Sequence, residues 1–170
     1  MNTASPLLAF QDGHRTLEEH LRDHQEALMS LDLVAAARAL ATYRAELEVH
    51  MVVEEELVIP RFEALGVEIK GGGAHFYWLE HKKLEDLLRG VERGLAELTE
   101  RGVSRGRDVI PLLQREFTFE HLMEHHETRE NYALYPTLAE RLSPTEQQDL
   151  WDAMCAREEA ARSAQDAPAS

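Results

Sequence analysis

A chain of 170 residues with 18 basic against 32 acidic side chains and a formal net charge of -14 can bury a core without staples and repels nucleic-acid backbones and anionic lipid surfaces. Its single cysteine excludes an internal disulfide framework and suits a reducing cytosol, and no apolar run approaches the ~18 residues that span a bilayer. The opening MNTASPLLAFQDGH lacks the basic and apolar regions of a secretory signal, so the expected protein is soluble and cytoplasmic, with no nucleic-acid or membrane partner.

Leu, Ala, Glu and Arg fill the long stretches between glycine clusters, which predicts helix throughout and no strands. The first predicted helix runs from about Pro6 to Leu31, and a short break follows with Asp32 as N-cap. The second runs from about Leu33 to Leu65 and ends at Gly66 and the run Gly71-Gly72-Gly73. The third spans about Ala74 to Glu100, stopped by Gly102 to Gly106, and the fourth about Asp108 to Arg141. Ser143-Pro144-Thr145-Glu146 has the cap serine, first-turn proline and Glu three residues on that open a fifth helix. Short connections between long helices favour an all-α, up-down-up-down four-helix bundle over residues 6–141. A short C-terminal helix over 143–163 and a flexible tail over 164–170 complete the expected domain plan.

Nine histidines are the compositional oddity, because imidazole is the commonest metal ligand. Projected at 100° per residue, one histidine on each long helix falls on the apolar stripe. His14 lies with Leu17 and Leu21, His50 with Leu47 and Val53, His81 with Tyr77 and Leu84, and His126 with Phe119 and Met123. Glu54 and Glu130 follow His50 and His126 one turn later on the same face. These two pairs belong to a skeleton written twice, HMVVEEELVIP from His50 and HHETRENYALYP from His125. In both copies His, Glu and Pro recur in register, 76 residues apart. Each proline is expected to kink or end its helix. Two buried carboxylates are costly unless they are paired or bind a cation, so four inward imidazoles around them suit a dinuclear metal centre. A metal-free bundle would have to explain two buried acids and four core histidines.

The segments FQDGHRTLEE, HMVVEEELVIP, WLEHKKLEDLL and HHETRENYALYP resemble the four helix motifs of the hemerythrin-like (HHE cation-binding) family over about residues 8–140. The resemblance implies a four-helix bundle with two iron ions in an oxo- or hydroxo-bridged di-iron centre. By that likeness His14, His50, His81 and His126 are terminal ligands, and Glu54 and Glu130 bridge the metals. Imidazole and carboxylate without thiolate fit iron or manganese and permit zinc. Oxygen-carrying members supply two histidines four apart from the third helix, whereas the earlier position here is Tyr77. That departure resembles the family's sensors and repair proteins and puts reversible oxygen carriage in doubt. Tyr77 is a candidate catalytic residue, as an iron ligand or a hydrogen-bond partner of an iron-bound oxygen species; a core tyrosine with a satisfied hydroxyl is the other reading. The implied activity is binding or reduction of a small oxidant such as O2, H2O2 or NO. The alternative is a non-catalytic iron- or oxygen-responsive module whose fold depends on metal.

His20/His24 and His121/His125 are i, i+4 pairs, a spacing that can bind zinc or nickel but also suits solvated or rim positions. His24 lies close enough to the Leu stripe to serve as a group beside the site or in an access channel. Glu18 is placed to orient His14. Glu55 and Glu56 are expected to face solvent, and Cys155 to pack at helical spacing from Trp151.

Overall fold

Apolar stripes at helical spacing leave each segment one face to bury, and the chain meets that demand helix against helix. The computed structural model describes residues 5–165, which hold no strand. After a 3-10 turn at Pro6–Gln11 come α1 (Asp12–Met29), α2 (Leu33–Val53), α3 (Ile59–Ala64), α4 (Ala74–Arg101), α5 (Ile110–Arg129), α6 (Tyr135–Arg141) and α7 (Pro144–Gln165). α1 packs along α2 and α4 along α5, with α2 also touching α4, so the two helix pairs form a helical bundle. Residues 164 and 165 close α7 rather than opening the expected tail, and residues 166–170 lie outside the described residues.

The punctuation follows local chemistry. Asp32 caps α2 by accepting from Ala35 N at 2.9 Å. Gly66 and Gly71, between α3 and α4, and Gly102 after α4 have φ of +60°, +76° and +73°, a region that penalises a Cβ. Ser143 and Glu146 exchange the reciprocal bonds of a capping box at 2.9 and 3.3 Å, starting α7. α7 runs 22 residues against 18 for α1. It lies against α2 and the turn that follows, tied by Arg162 to Glu46 of α2 at 2.7 Å and by Arg157 to Glu56, just beyond α2, at 2.6 Å.

The two prolines do not end their helices. A π-helical turn at Glu54–Val58 joins α2 to α3, and another at Glu130–Leu134 joins α5 to α6. In each, the wider bond closes on the glutamate: Ile59 N donates to Glu54 O and Tyr135 N to Glu130 O. The next residue is the proline, Pro60 or Pro136, which needs no amide partner and whose ring would crowd a regular turn. The helix therefore continues instead of ending. The repeated His-x3-Glu-x5-Pro spacing encodes a π turn that begins at the inward carboxylate.

Apolar burial falls into two clusters. One, with Leu17, Leu47, Leu84 and Met123, fills the bundle between α1, α2, α4 and α5. The other, with Val53, Phe62, Tyr77, Leu134 and Met154, lies under α3, α6 and α7. On every long helix the inward histidine sits where one cluster gives way to the other, so a polar layer separates them.

Candidate metal centre

The six inward residues are all buried: His14, His50, His81 and His126 are 5%, 7%, 2% and 0% exposed, and Glu54 and Glu130 are fully enclosed. α1 brings His14 to His50 of α2, with Nε2 atoms 3.3 Å apart, and α4 brings His81 to His126 of α5, at 3.2 Å. Each carboxylate touches one histidine of each pair. Glu130 lies 3.0 Å from His14 Nε2 and 2.7 Å from His126 Nε2. Glu54 lies 3.4 Å from His50 Nε2 and 3.2 Å from His81 Nε2. Donor atoms of His50, Glu54, His126 and Glu130 all fall within 4.8 Å of one another.

The surroundings orient these rings. His81 Nδ1 is 3.0 Å from Glu55, and His126 Nδ1 is 3.2 Å from Glu80. Those carboxylates favour the tautomer with the proton on Nδ1, which leaves the Nε2 lone pair aimed inward. Glu80 is held by Arg129 at 2.8 and 3.2 Å; Arg129 also donates to Gly71 O and lies 4.8 Å over the Phe76 ring. Phe10 stacks on His50 with centroids 5.0 Å apart. The Tyr135 hydroxyl donates to Glu54 Oε1 at 2.5 Å.

The inner oxygens lack fixed donors. Glu54 Oε2 and both Glu130 oxygens are buried with no hydrogen bond apart from what an imidazole proton could supply. Their contacts with Nε2 are therefore bonds only where protons or a cation sit between them. The charges behave accordingly. Burial would lower His126, but the Glu130 and Glu80 carboxylates outweigh it and push the ring up to about 10. Burial lowers His14 and His81 too, and again Glu130 and Glu54 respectively carry them above the ordinary value. Glu130 is held well below the carboxylate range against its burial, by His126 and His14. His50 goes the other way: burial, aided by the neighbouring imidazoles, lowers it to about 3. The donor set of four imidazoles and two carboxylates fits a metal ion.

A model of the hemerythrin HHE cation binding domain matches residues 6–138. The chain belongs to that family. No curated protein and no solved structure matches it. The hemerythrin HHE match spans all six inward residues and both π turns, and ends before α7.

Other sequence expectations fare unevenly. Tyr77 is buried against the site, its ring 6.3 Å from that of His126, and its hydroxyl lies 3.4 Å from Arg129 O. His24 stands apart: its Nδ1 meets Ala36 O at 2.8 Å and its Nε2 meets the buried Glu116 at 3.1 Å, so it neither joins the centre nor pairs with His20. Glu18 is exposed and pairs with Arg22 at 3.1 Å instead of orienting His14. Glu55 is not pure solvent-facing charge, because it holds His81. Cys155 is exposed, not a packing residue. Sequence reasoning missed Glu80, Arg129 and Tyr135. The one signal for Tyr135 was the asymmetry of the repeat, where YALYP has tyrosine before proline and ELVIP has isoleucine.

Proposed function

We propose that this hemerythrin HHE domain holds two iron ions between its histidine pairs and binds or reduces a small oxidant, O2, H2O2 or NO, there. In this reading the four long helices follow an up-down-up-down order. His14 with His50 would hold one ion and His81 with His126 the other. The observation that carries the reading is that each of Glu54 and Glu130 contacts one histidine from each pair, the arrangement bridging carboxylates require. Two irons so linked would supply two electrons at one place.

The chain's own residues do the rest. Glu55 and Glu80 hold the His81 and His126 rings in the ligating tautomer, and Arg129 fixes Glu80. The Tyr135 hydroxyl neutralises part of the charge on Glu54 and sets its orientation. Tyr77 is assigned to packing, with its hydroxyl given to a backbone carbonyl, and Tyr135 takes the place of the phenol acting on the site. A surface cleft of about 370 Å³ between α1, α2 and α7 has His50 and Phe10 in its wall, with room for a diatomic or peroxide beside a ligand histidine.

Stopped-flow mixing of ferrous-loaded protein with O2, H2O2 or NO tests this. Oxidation or binding faster than with equimolar free iron is the expected result. Metal that is retained but unreactive toward all three would overturn the oxidant reading and leave the non-catalytic module. Repeated turnover would separate an enzyme from a sensor.

A further inference from the structure

The two i, i+4 histidine pairs of the sequence meet different fates. His24 is turned into the core and spends both ring nitrogens there, leaving His20 alone. His121 and His125, on the outer face of α5, converge instead, with Nε2 atoms 3.2 Å apart. That separation matches those within the buried centre, 3.3 Å for His14–His50 and 3.2 Å for His81–His126. At metal–nitrogen bonds of about 2.05 Å it subtends an angle of about 103°, close to tetrahedral.

We propose that His121 and His125 form a second, external metal site for a borderline divalent cation of the zinc or nickel class. The rings are set for it. His121 lies parallel to Phe117 (interplanar angle 2°, centroids 6.3 Å apart), and its Nδ1 faces Glu124 at 3.9 Å, so Nε2 is the nitrogen turned toward His125. The His125 ring stands at 74° to that of His121, with centroids 4.5 Å apart. Two imidazoles without thiolate select late first-row divalent ions over magnesium or calcium, and water completes the shell at this exposed position. His121 lines a cleft of about 380 Å³ between α1, α2 and α5 whose wall carries Glu18, Glu120, Glu124 and Glu127 against one Arg22. That surplus of negative charge raises the local concentration of cations.

Calorimetric titration of the metal-loaded protein with Zn(II) tests the site. Wild type should bind one further ion. His121→Ala and His125→Ala should each weaken that binding at least tenfold, and the double substitution should weaken it little more, as expected when either change breaks a chelate. His20→Ala should leave it unchanged. No uptake by the loaded wild type, or unaltered affinity in either single variant, would overturn the proposal. So would loss of the buried metal in those variants, measured on the same samples by elemental analysis, because the pair would then not be a separate site.

Discussion

The bundle buries histidine beside glutamate in two places, and only one resembles a metal centre. His24 and Glu116 lie between α1, α2 and α5, both fully buried, one imidazole to one carboxylate. His24 hands its second nitrogen to Ala36 O, so the ring has two fixed partners and nothing left to offer. In the polar layer between the two apolar clusters, four Nε2 atoms converge on two carboxylates, and two of the opposite nitrogens are held outward by Glu55 and Glu80. A buried histidine next to a glutamate is therefore no mark of a metal site. Convergence of several lone pairs, two of the rings anchored from behind, is.

Removing the metal should separate the two sites most sharply. At free metal near a thousandfold above Kd, binding adds about 4 kcal/mol, or roughly 8–16 °C in Tm for a chain of this size. Chelation should lower Tm by about that much, as read by calorimetry. Glu130→Ala should reduce bound metal to one ion per chain or fewer. His24→Ala should cost about 2–4 kcal/mol through a cavity and lost hydrogen bonds, yet leave metal content unchanged. Metal loss in His24→Ala would erase the distinction drawn between the sites.

The metal-free protein carries a pH signature. His126 sits at about 10 in the fold against 6.5 unfolded, and His14 and His81 are raised as well. Folding then binds extra protons, so their stabilisation is complete below about pH 6.5 and is lost as pH rises toward about 10. Thermal melts of metal-free protein should show Tm falling over that window, while metal affinity rises as the competing protons leave. A flat or rising Tm between pH 6.5 and 9.5 would contradict the raising of these histidines by Glu54, Glu80 and Glu130.

Smaller effects discriminate among the groups around the ligands. Tyr135→Phe removes the donor on Glu54 and should weaken metal binding about 10–100-fold, measured by competition with a chelator. Tyr77→Phe should cost about 1 kcal/mol at most and leave metal affinity, visible absorption and peroxide reactivity alone. A changed spectrum in Tyr77→Phe would return that residue to the site. Glu116→Gln, which keeps a hydrogen-bonding partner for His24, should be the mildest change and should not alter metal content.

Much of this was legible in the sequence because helix faces follow a fixed 100° step. His14, His50, His81 and His126 could be placed on apolar stripes, Asp32 and Ser143 carried their capping chemistry, and the glycine runs marked the breaks. The projection failed where the step changes. The turns after Glu54 and Glu130 are wider than an α turn, so Glu55 and Tyr135 reach the site from angles a regular helix does not give them. Long-range partners were also hidden: Glu80 reaches His126 and Arg129 reaches Glu80 across the α4–α5 contact, which no local pattern encodes. His24 misled for the same reason, since its partner Glu116 lies 92 residues away.

Ferrous iron titrated anaerobically into metal-free protein, with bound metal counted by elemental analysis after desalting, tests the central claim most directly. Wild type should saturate at two irons per chain, falling to one or fewer in Glu54→Ala. Saturation at one iron, or full loading in Glu54→Ala, would contradict a centre built on carboxylates shared between two histidine pairs.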